Sequence, residues 1–203
     1  MKRPAHRFDL PRETRDRLEA FAALLARWNH RINLVSPRDL PHLWERHIAD
    51  SLQLIDLLDP PRACGIDIGS GAGFPGLILA IATGIPFHLI EADQRKASFL
   101  REAARVTAAP ARVYAVRAEA VQLPPSPLVT ARAVAPLPML LSLAAPLLAP
   151  GGICLFPKGT GANSELTLAE SKWQMRVERF PSRTDPSATI LRISEIALAR
   201  APG

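Results

Sequence analysis

Cysteine, lysine and tyrosine are scarce in this 203-residue chain. The two cysteines, Cys64 and Cys154, each stand alone in an apolar stretch, and neither belongs to a CxxC pair. This argues against a disulfide framework and a zinc knuckle, points to a reducing compartment, and makes both thiols candidates for inert packing. No metal site is expected. The longest apolar stretch, Ala133–Ala149, is interrupted by Pro136, Pro138 and Pro146, which leaves it too short and too broken to cross a bilayer. The basic start, Met1–Arg7, is followed by no apolar segment, so no secretory signal is expected and the protein reads as cytosolic. Internal repeats and low-complexity linkers are also missing.

Hydrophobic residues make up 48% of the chain and charged residues 22%, a balance that suits a folded globular protein and not a disordered one. The length allows one domain with an appended subdomain. The net charge of +6 is spread along the chain, and arginines outnumber lysines 21 to 4. The net charge is +3 over residues 1–50, −2 over 51–90, +3 over 91–132 and +2 over 151–203. A basic rim around an acidic centre suits an anionic polymer bound outside and a cationic small molecule bound inside.

Residues 12–28 carry Leu18, Phe21, Ala22, Leu25 and Trp28 at helical spacing, and residues 39–58 carry a second apolar face through Leu40, Leu43, His47, Ile48, Ser51, Leu52 and Ile55. Together they predict an N-terminal helical cap over residues 1–60, ended by Pro60-Pro61, with Trp28 and Trp44 in its core. Residues 61–203 then alternate. Short apolar runs at Gly65–Ile68, Phe87–Ile90, Val113–Val116, Leu128–Ala131 and Ile153–Phe156 are separated by helical stretches at Gly76–Ala82, Arg95–Val106 and Met139–Leu148. That alternation predicts βαβ units and a mostly parallel sheet of Rossmann-like α/β class. Lys172–Phe180 and Thr189–Ile193 predict a terminal antiparallel hairpin.

The sharpest local signal is Ile66-Asp67-Ile68-Gly69-Ser70-Gly71-Ala72-Gly73-Phe74-Pro75-Gly76, a strand running into a glycine-rich turn and a helix. Twenty residues beyond Gly71, at the end of the second strand, stands Glu91, placed to accept both hydroxyls of an adenosine ribose. Asp93 is a second carboxylate in the same segment; Glu91, which ends the apolar run, is favoured. Two cofactors fit. Gly71, Gly73 and Gly76 satisfy the spacing of a dinucleotide turn, and Gly69, Gly71 and Gly73 that of an S-adenosylmethionine turn. Asp67 favours the second, because a carboxylate two residues before the loop would face a pyrophosphate with the wrong sign but suits a cationic amino group.

Around the loop, further blocks recur in a fixed order. They are Trp28-Asn29, Ile32-Asn33-Leu34, Arg38-Asp39, Arg46-His47-Ile48-Ala49-Asp50-Ser51, Arg95-Lys96, Phe99-Leu100-Arg101-Glu102, Arg117-Ala118-Glu119, Ala131-Arg132-Ala133 and Lys158-Gly159. With the loop they make the chain resemble, nearly end to end, the bacterial glucose-inhibited division protein B family, also called the small-subunit ribosomal RNA methyltransferase G family. The resemblance implies a class I enzyme that moves a methyl group from S-adenosylmethionine to guanine N7 in the 530 loop of 16S ribosomal RNA. It also implies cofactor contacts at Gly69, Phe74, Ala118, Glu119 and Arg132, beside the Gly71 and Glu91 of the glycine-turn reading; the expected partner is that RNA or an assembling 30S subunit, and the expected state a monomer. Two other readings are a dinucleotide-dependent oxidoreductase, poorly served by the single Tyr114, and a non-catalytic RNA-binding protein on the same fold.

Guanine N7 has an in-plane lone pair and no proton, so its methylation needs alignment and not a general base. No obvious acid–base pair stands out in the sequence. No polar-Pro-Pro-aromatic loop follows the fourth strand, where Arg132-Ala133-Val134-Ala135 stands instead. The N7 edge lies in a groove of A-form RNA that side chains cannot enter, which makes an unpaired base the expected target. Arg46, His47, Arg95, Lys96 and Lys158 are the candidates to touch the RNA. Each also has a structural reading; Arg46 and Asp50, four residues apart, would pair on one helix.

Overall fold

The computed structural model describes residues 8–199; the basic Met1–Arg7 segment lies outside them. Helix α1 (Arg12–Asn29) buries Leu18, Phe21, Leu24 and Leu25, and it ends where Asn29 turns back. The Asn29 carboxamide oxygen accepts from the backbone N–H of Leu34 and Val35, both at 2.9 Å.

The next segment departs from the single helix expected over 39–58. A 3₁₀ turn at Leu40–His42 is followed by a π-helical turn at Trp44–Ile48, one α-turn, α2 (Ala49–Leu52), and a 3₁₀ stretch at Gln53–Leu57. Pro41 sits in the first turn, and side chains compete with the ladder: the Ser51 hydroxyl donates to the His47 carbonyl at 2.7 Å, and the Gln53 amide to the Asp50 carbonyl at 3.1 Å. The widened π-turn shifts the register of the segment and carries Arg46 and His47, while Leu43, Ile48, Leu52 and Leu54 stay buried.

The sheet then forms as the alternation predicts. Its strands are β1 (Gly65–Ile68), β2 (Phe87–Ile90), β3 (Ala111–Tyr114), β4 (Ser126–Ala131), β5 (Leu148–Lys158), β6 (Trp173–Pro181) and β7 (Thr189–Leu198), in spatial order β3-β2-β1-β4-β5-β7-β6. The first five are parallel, and β7 pairs antiparallel with both β5 and β6. Helices α3 (Gly76–Thr83), α4 (Gln94–Val106), α5 (Leu137–Ala144) and α6 (Ala162–Glu170) supply the crossovers and the cover.

Several boundaries differ from the sequence expectation, among them the end of β7, which runs to Leu198. β3 lies two residues earlier, because Ala111 is in register with Phe87. The helix expected to reach Leu148 ends at Ala144, and a 3₁₀ turn through Pro146 leads directly into a longer β5. Helix α6 has no counterpart in the sequence pattern, since it buries only Ala162, Leu166 and Ala169. Pro75 precedes the first residue of α3 and does not occupy it.

One hydrophobic cluster runs through the cap and one face of the sheet. It joins Leu18, Phe21 and Leu25 to Phe74, Leu77 and Phe99, with Trp28 and Trp44 packed at its margin. The opposite face, with Phe156 of β5, is covered by α5 and α6 through Leu137, Leu141 and Leu166. The carboxyl ends of the parallel strands stay open on the side where chain order reverses between β1 and β4, which is where open α/β sheets bind ligands.

Candidate active site

The turn leaving β1 is built around a carboxylate with no access to water. Asp67 is fully buried. Its Oδ1 accepts from the Thr130 hydroxyl of β4 at 2.6 Å, and its Oδ2 has no partner. Burial pushes this carboxyl up to about 6, and the Thr130 hydroxyl pulls it back only in part. A Cβ added at Gly76 would come within 2.4 Å of the Asp67 Cβ, so α3 can sit this close to β1 only with glycine at its start.

Gly69, Gly71 and Gly73 all have positive φ, a conformation that side chains disfavour. Glu91 holds that turn: its Oε2 accepts from the Gly71 N–H and its Oε1 from the Asp93 N–H, both at 2.8 Å. Asp93 caps α4, accepting from the backbone N–H of Arg95 and Lys96 at 2.8 and 3.1 Å. The two acids that compete in sequence thus have different positions in space. Only Glu91 touches the glycine turn, and part of its work is to anchor that turn.

Phe74, at the far end of the loop, is sandwiched. The His47 ring stacks on it with centroids 5.0 Å apart, the Arg132 guanidinium lies 4.9 Å from its centroid, and Phe21 meets it edge-on at 5.6 Å. Arg132, just past β4, binds the His47 Nδ1 at 2.8 Å and the Asp50 Oδ2 at 3.0 Å. Asp50 therefore pairs with Arg132, 82 residues away, and not with Arg46, which pairs with Asp39 at 2.9 Å. Burial, reinforced by Arg132, pulls the His47 imidazole down to about 4, so it is neutral near pH 7 and Nδ1 accepts from the guanidinium.

Asp50 also reaches the β6–β7 turn. Its Oδ1 accepts from the Thr184 hydroxyl and the Gln53 amide, each at 2.8 Å. The Gln53 oxygen accepts from the Arg183 N–H at 2.8 Å. None of these long-range partners is visible in the sequence.

Beside the glycine turn a cleft of about 840 Å³ opens between the π-turn of the cap, the exits of β4 and β5, and the β6–β7 turn. Arg46, His47, Asp50 and Arg132 line it, as do the backbone and side chains around Lys158 and Thr184. Lys158 lines the cleft but its charge is already engaged, and the remaining candidates fall elsewhere. The Lys158 side chain is only 9% exposed, and its ammonium binds Glu165 at 2.8 Å and the Ala135 carbonyl at 2.9 Å. Glu165 in turn accepts the first N–H of α5, at Leu137, at 2.7 Å. Lys158 is thus a tie between elements and not a cation presented at the rim. Arg95 is exposed at the start of α4 with Lys96 beside it. Ala118 and Glu119 form a 3₁₀ turn after β3. Cys154 is fully buried, which raises its thiol far above the ordinary range. Among the described residues no helix is long and apolar enough to cross a membrane.

The same arrangement of sheet and cover occurs in solved methyltransferases. An O-methyltransferase from Bacillus cereus in complex with SAH superposes with a TM-score of 0.60 at 15% identity, over 89% of this chain and 91% of that one. A ribosomal protein L11 methylase from Lactobacillus delbrueckii gives 0.56 at 17% identity, over 72% and 76%. The fold, with the strand–glycine turn–helix at its switch point and an acid closing β2, is that of the class I S-adenosylmethionine-dependent methyltransferases. Within that class the chain belongs to the rRNA small subunit methyltransferase G family, whose model (GidB) matches residues 14–189. It is 61% identical to the Rhodospirillum centenum protein of that name, over 94% of this chain and 88% of that one, and 58% identical to the Acidiphilium cryptum protein, over 94% and 95%. Family membership sets the dinucleotide reading aside.

The residues present fit S-adenosylmethionine. A positively bent glycine turn leaves room for a ligand against the backbone, and the unpartnered Asp67 Oδ2 lies buried beneath it. Glu91 is the acid at the end of the second strand.

Proposed function

We propose that this protein transfers a methyl group from S-adenosylmethionine to N7 of a guanine in the 530 loop of 16S ribosomal RNA. The observation that carries the reading is the family match, continuous from residue 14 to 189, which spans both the glycine turn and the cleft beside it. When bound, the cofactor supplies an electrophilic methyl group: the N7 lone pair forms the new N–C bond as the C–S bond breaks, the sulfonium becoming a thioether and the positive charge passing to the guanine.

The chain's own residues do the rest. The turn from Gly69 to Gly73, with Glu91 behind it, holds the nucleoside end. Asp67 faces the cationic end from beneath, and Phe74, Ala118, Glu119 and Arg132 complete the cofactor's surroundings. The cleft receives an unpaired base and excludes water from it, with Arg46, Arg95 and Lys96 offering charge to the RNA backbone.

No residue needs to take a proton. Of the carboxylates lining the cleft, Asp50 is committed to Arg132 and Glu165 to Lys158, and this arrangement suits a nucleophile that carries no proton to remove. The reading has the enzyme acting as a monomer, in the cytoplasm, where small subunits are assembled. Incubating the protein with tritiated cofactor and either naked 16S rRNA or 30S subunits, then mapping the label, tests the reading. Label on a guanine of the 530 loop, released as 7-methylguanine, is expected; label on another base, or none, overturns it.

A further inference from the structure

We propose that a second cationic surface, at the β3 edge of the sheet and away from the cleft, binds backbone phosphates of the same rRNA outside its target loop. This rests on rRNA being the substrate. The surface is a shallow groove of about 400 Å³ lined by Arg101, Ala104 and Arg105 of α4 and by Ala109, Arg112 and Val113 around β3. Three guanidinium groups stand over a floor of small apolar side chains, with no carboxylate among the lining residues.

All three arginines are exposed. Arg105 is held by Glu102 through two hydrogen bonds at 2.9 and 2.7 Å, which fix its plane. Arg112 lies 5.4 Å from the centroid of the Tyr114 ring, which stiffens it in the same way. Among the described residues neither Arg101 nor Arg112 has a carboxylate within ion-pair distance, so their charge is available. The charge of Arg27 on α1 also favours the ionised form of Glu102, after the larger effect of Arg105.

The groove is also connected to the site. Arg95 opens α4 at the carboxyl edge, and Arg101 and Arg105 lie further along the same helix, up to roughly 15 Å away at a rise of about 1.5 Å per residue and turned by roughly 80–120° about its axis. Forked, preorganised guanidinium groups suit phosphate oxygens. The absence of a large apolar or aromatic anchor in the groove disfavours a protein partner. Contacts of this kind position a nucleic acid without reading its sequence.

The test is the double variant R101A/R112A, made in the full chain, with filter binding to naked 16S rRNA across a range of salt. The dissociation constant is expected to rise roughly tenfold at physiological salt. The log–log salt dependence is expected to become shallower by about 1.5, because two phosphates are no longer neutralised. Calorimetric affinity for S-adenosylmethionine and the transfer rate at saturating RNA stay at the wild-type level. The charge-preserving R101K/R112K recovers most of the slope. Equal slopes for wild type and R101A/R112A, or lost affinity with an unchanged slope, overturn this proposal alone. Wild-type protein that binds rRNA yet transfers no methyl group overturns the functional reading alone.

Discussion

Asp67 and His47 are displaced from their ordinary protonation behaviour in opposite directions, and the two displacements act on stability with opposite signs. Asp67 is raised from 3.8 to about 6, so the folded chain holds this proton more tightly than the unfolded one. Its contribution is fully present below about pH 4, is lost as pH rises through 6, and is then constant. Asp67→Asn keeps the shape and removes the buried charge. The ligand-free variant should resist urea better than wild type at pH 7.5, by at most roughly 3 kcal/mol, with the gap closing toward pH 4. The same variant should bind S-adenosylmethionine more weakly and lose the tightening that wild type shows as pH rises through 6, which calorimetry at three pH values reads directly. His47 goes the other way. Lowered from 6.5 to about 4, it contributes stability that is present above pH 6.5 and lost as pH falls through 4. Because it keeps some contact with water, about 1–2 kcal/mol is at stake. His47→Gln should flatten the acid limb of the urea midpoint against pH; an unchanged acid limb would show that the imidazole protonates freely in place.

At the scale of elements, the glycine turn is where sequence and structure agree best, and Glu91 shows where they part. Its distance from Gly71 marks it as a ribose acid; its two hydrogen bonds, to the Gly71 and Asp93 N–H groups, add a second role that no spacing rule reveals. Glu91→Ala should therefore weaken cofactor affinity by roughly 1.5–3 kcal/mol and also lower the thermal midpoint of the ligand-free protein. A pure ligand residue would leave that midpoint untouched, so differential scanning fluorimetry without cofactor separates the roles. Strands β1, β2 and β4 are legible because each is a short apolar run between turn residues, mostly buried; β3, half-exposed at the sheet edge, is the parallel strand that periodicity displaces. The cap is legible only as apolar content. Its π-turn and 3₁₀ turns arise from side chains bonding backward to the main chain at Ser51 and Gln53, which periodicity does not register. Helix α6 is hidden because three small or single apolar contacts make a weak stripe. Lys158 looks like a rim cation in the sequence because its partner, Glu165, lies on that hidden helix.

For the whole molecule, the carboxyl edge of the sheet is closed by pieces from both ends of the chain. The turn at 40–57 comes from the N-terminal part and the β6–β7 turn from the C-terminal part. One side chain holds both: Asp50 gives one oxygen to Arg132 after β4 and the other to Thr184 and Gln53. The side chains of both ion-pair partners are largely buried, 17% and 14% exposed, so removing either leaves a charge without its counterpart in a poorly hydrated place. Asp50→Ala and Arg132→Ala should each cost about 2–4 kcal/mol in urea unfolding. If the edge is closed by this pair, the double variant should cost less than the sum of the two by about 1–3 kcal/mol. Strict additivity would mean that cap and sheet are held independently and that Asp50 serves only its own segment. Activity distinguishes the consequences. Asp50→Ala leaves the glycine turn and Glu91 intact, so cofactor affinity should change little, while the Michaelis constant for rRNA should rise as the cleft loses its fixed wall. A fall in cofactor affinity of the same size would instead place Asp50 behind the loop, acting through Arg132 and Phe74.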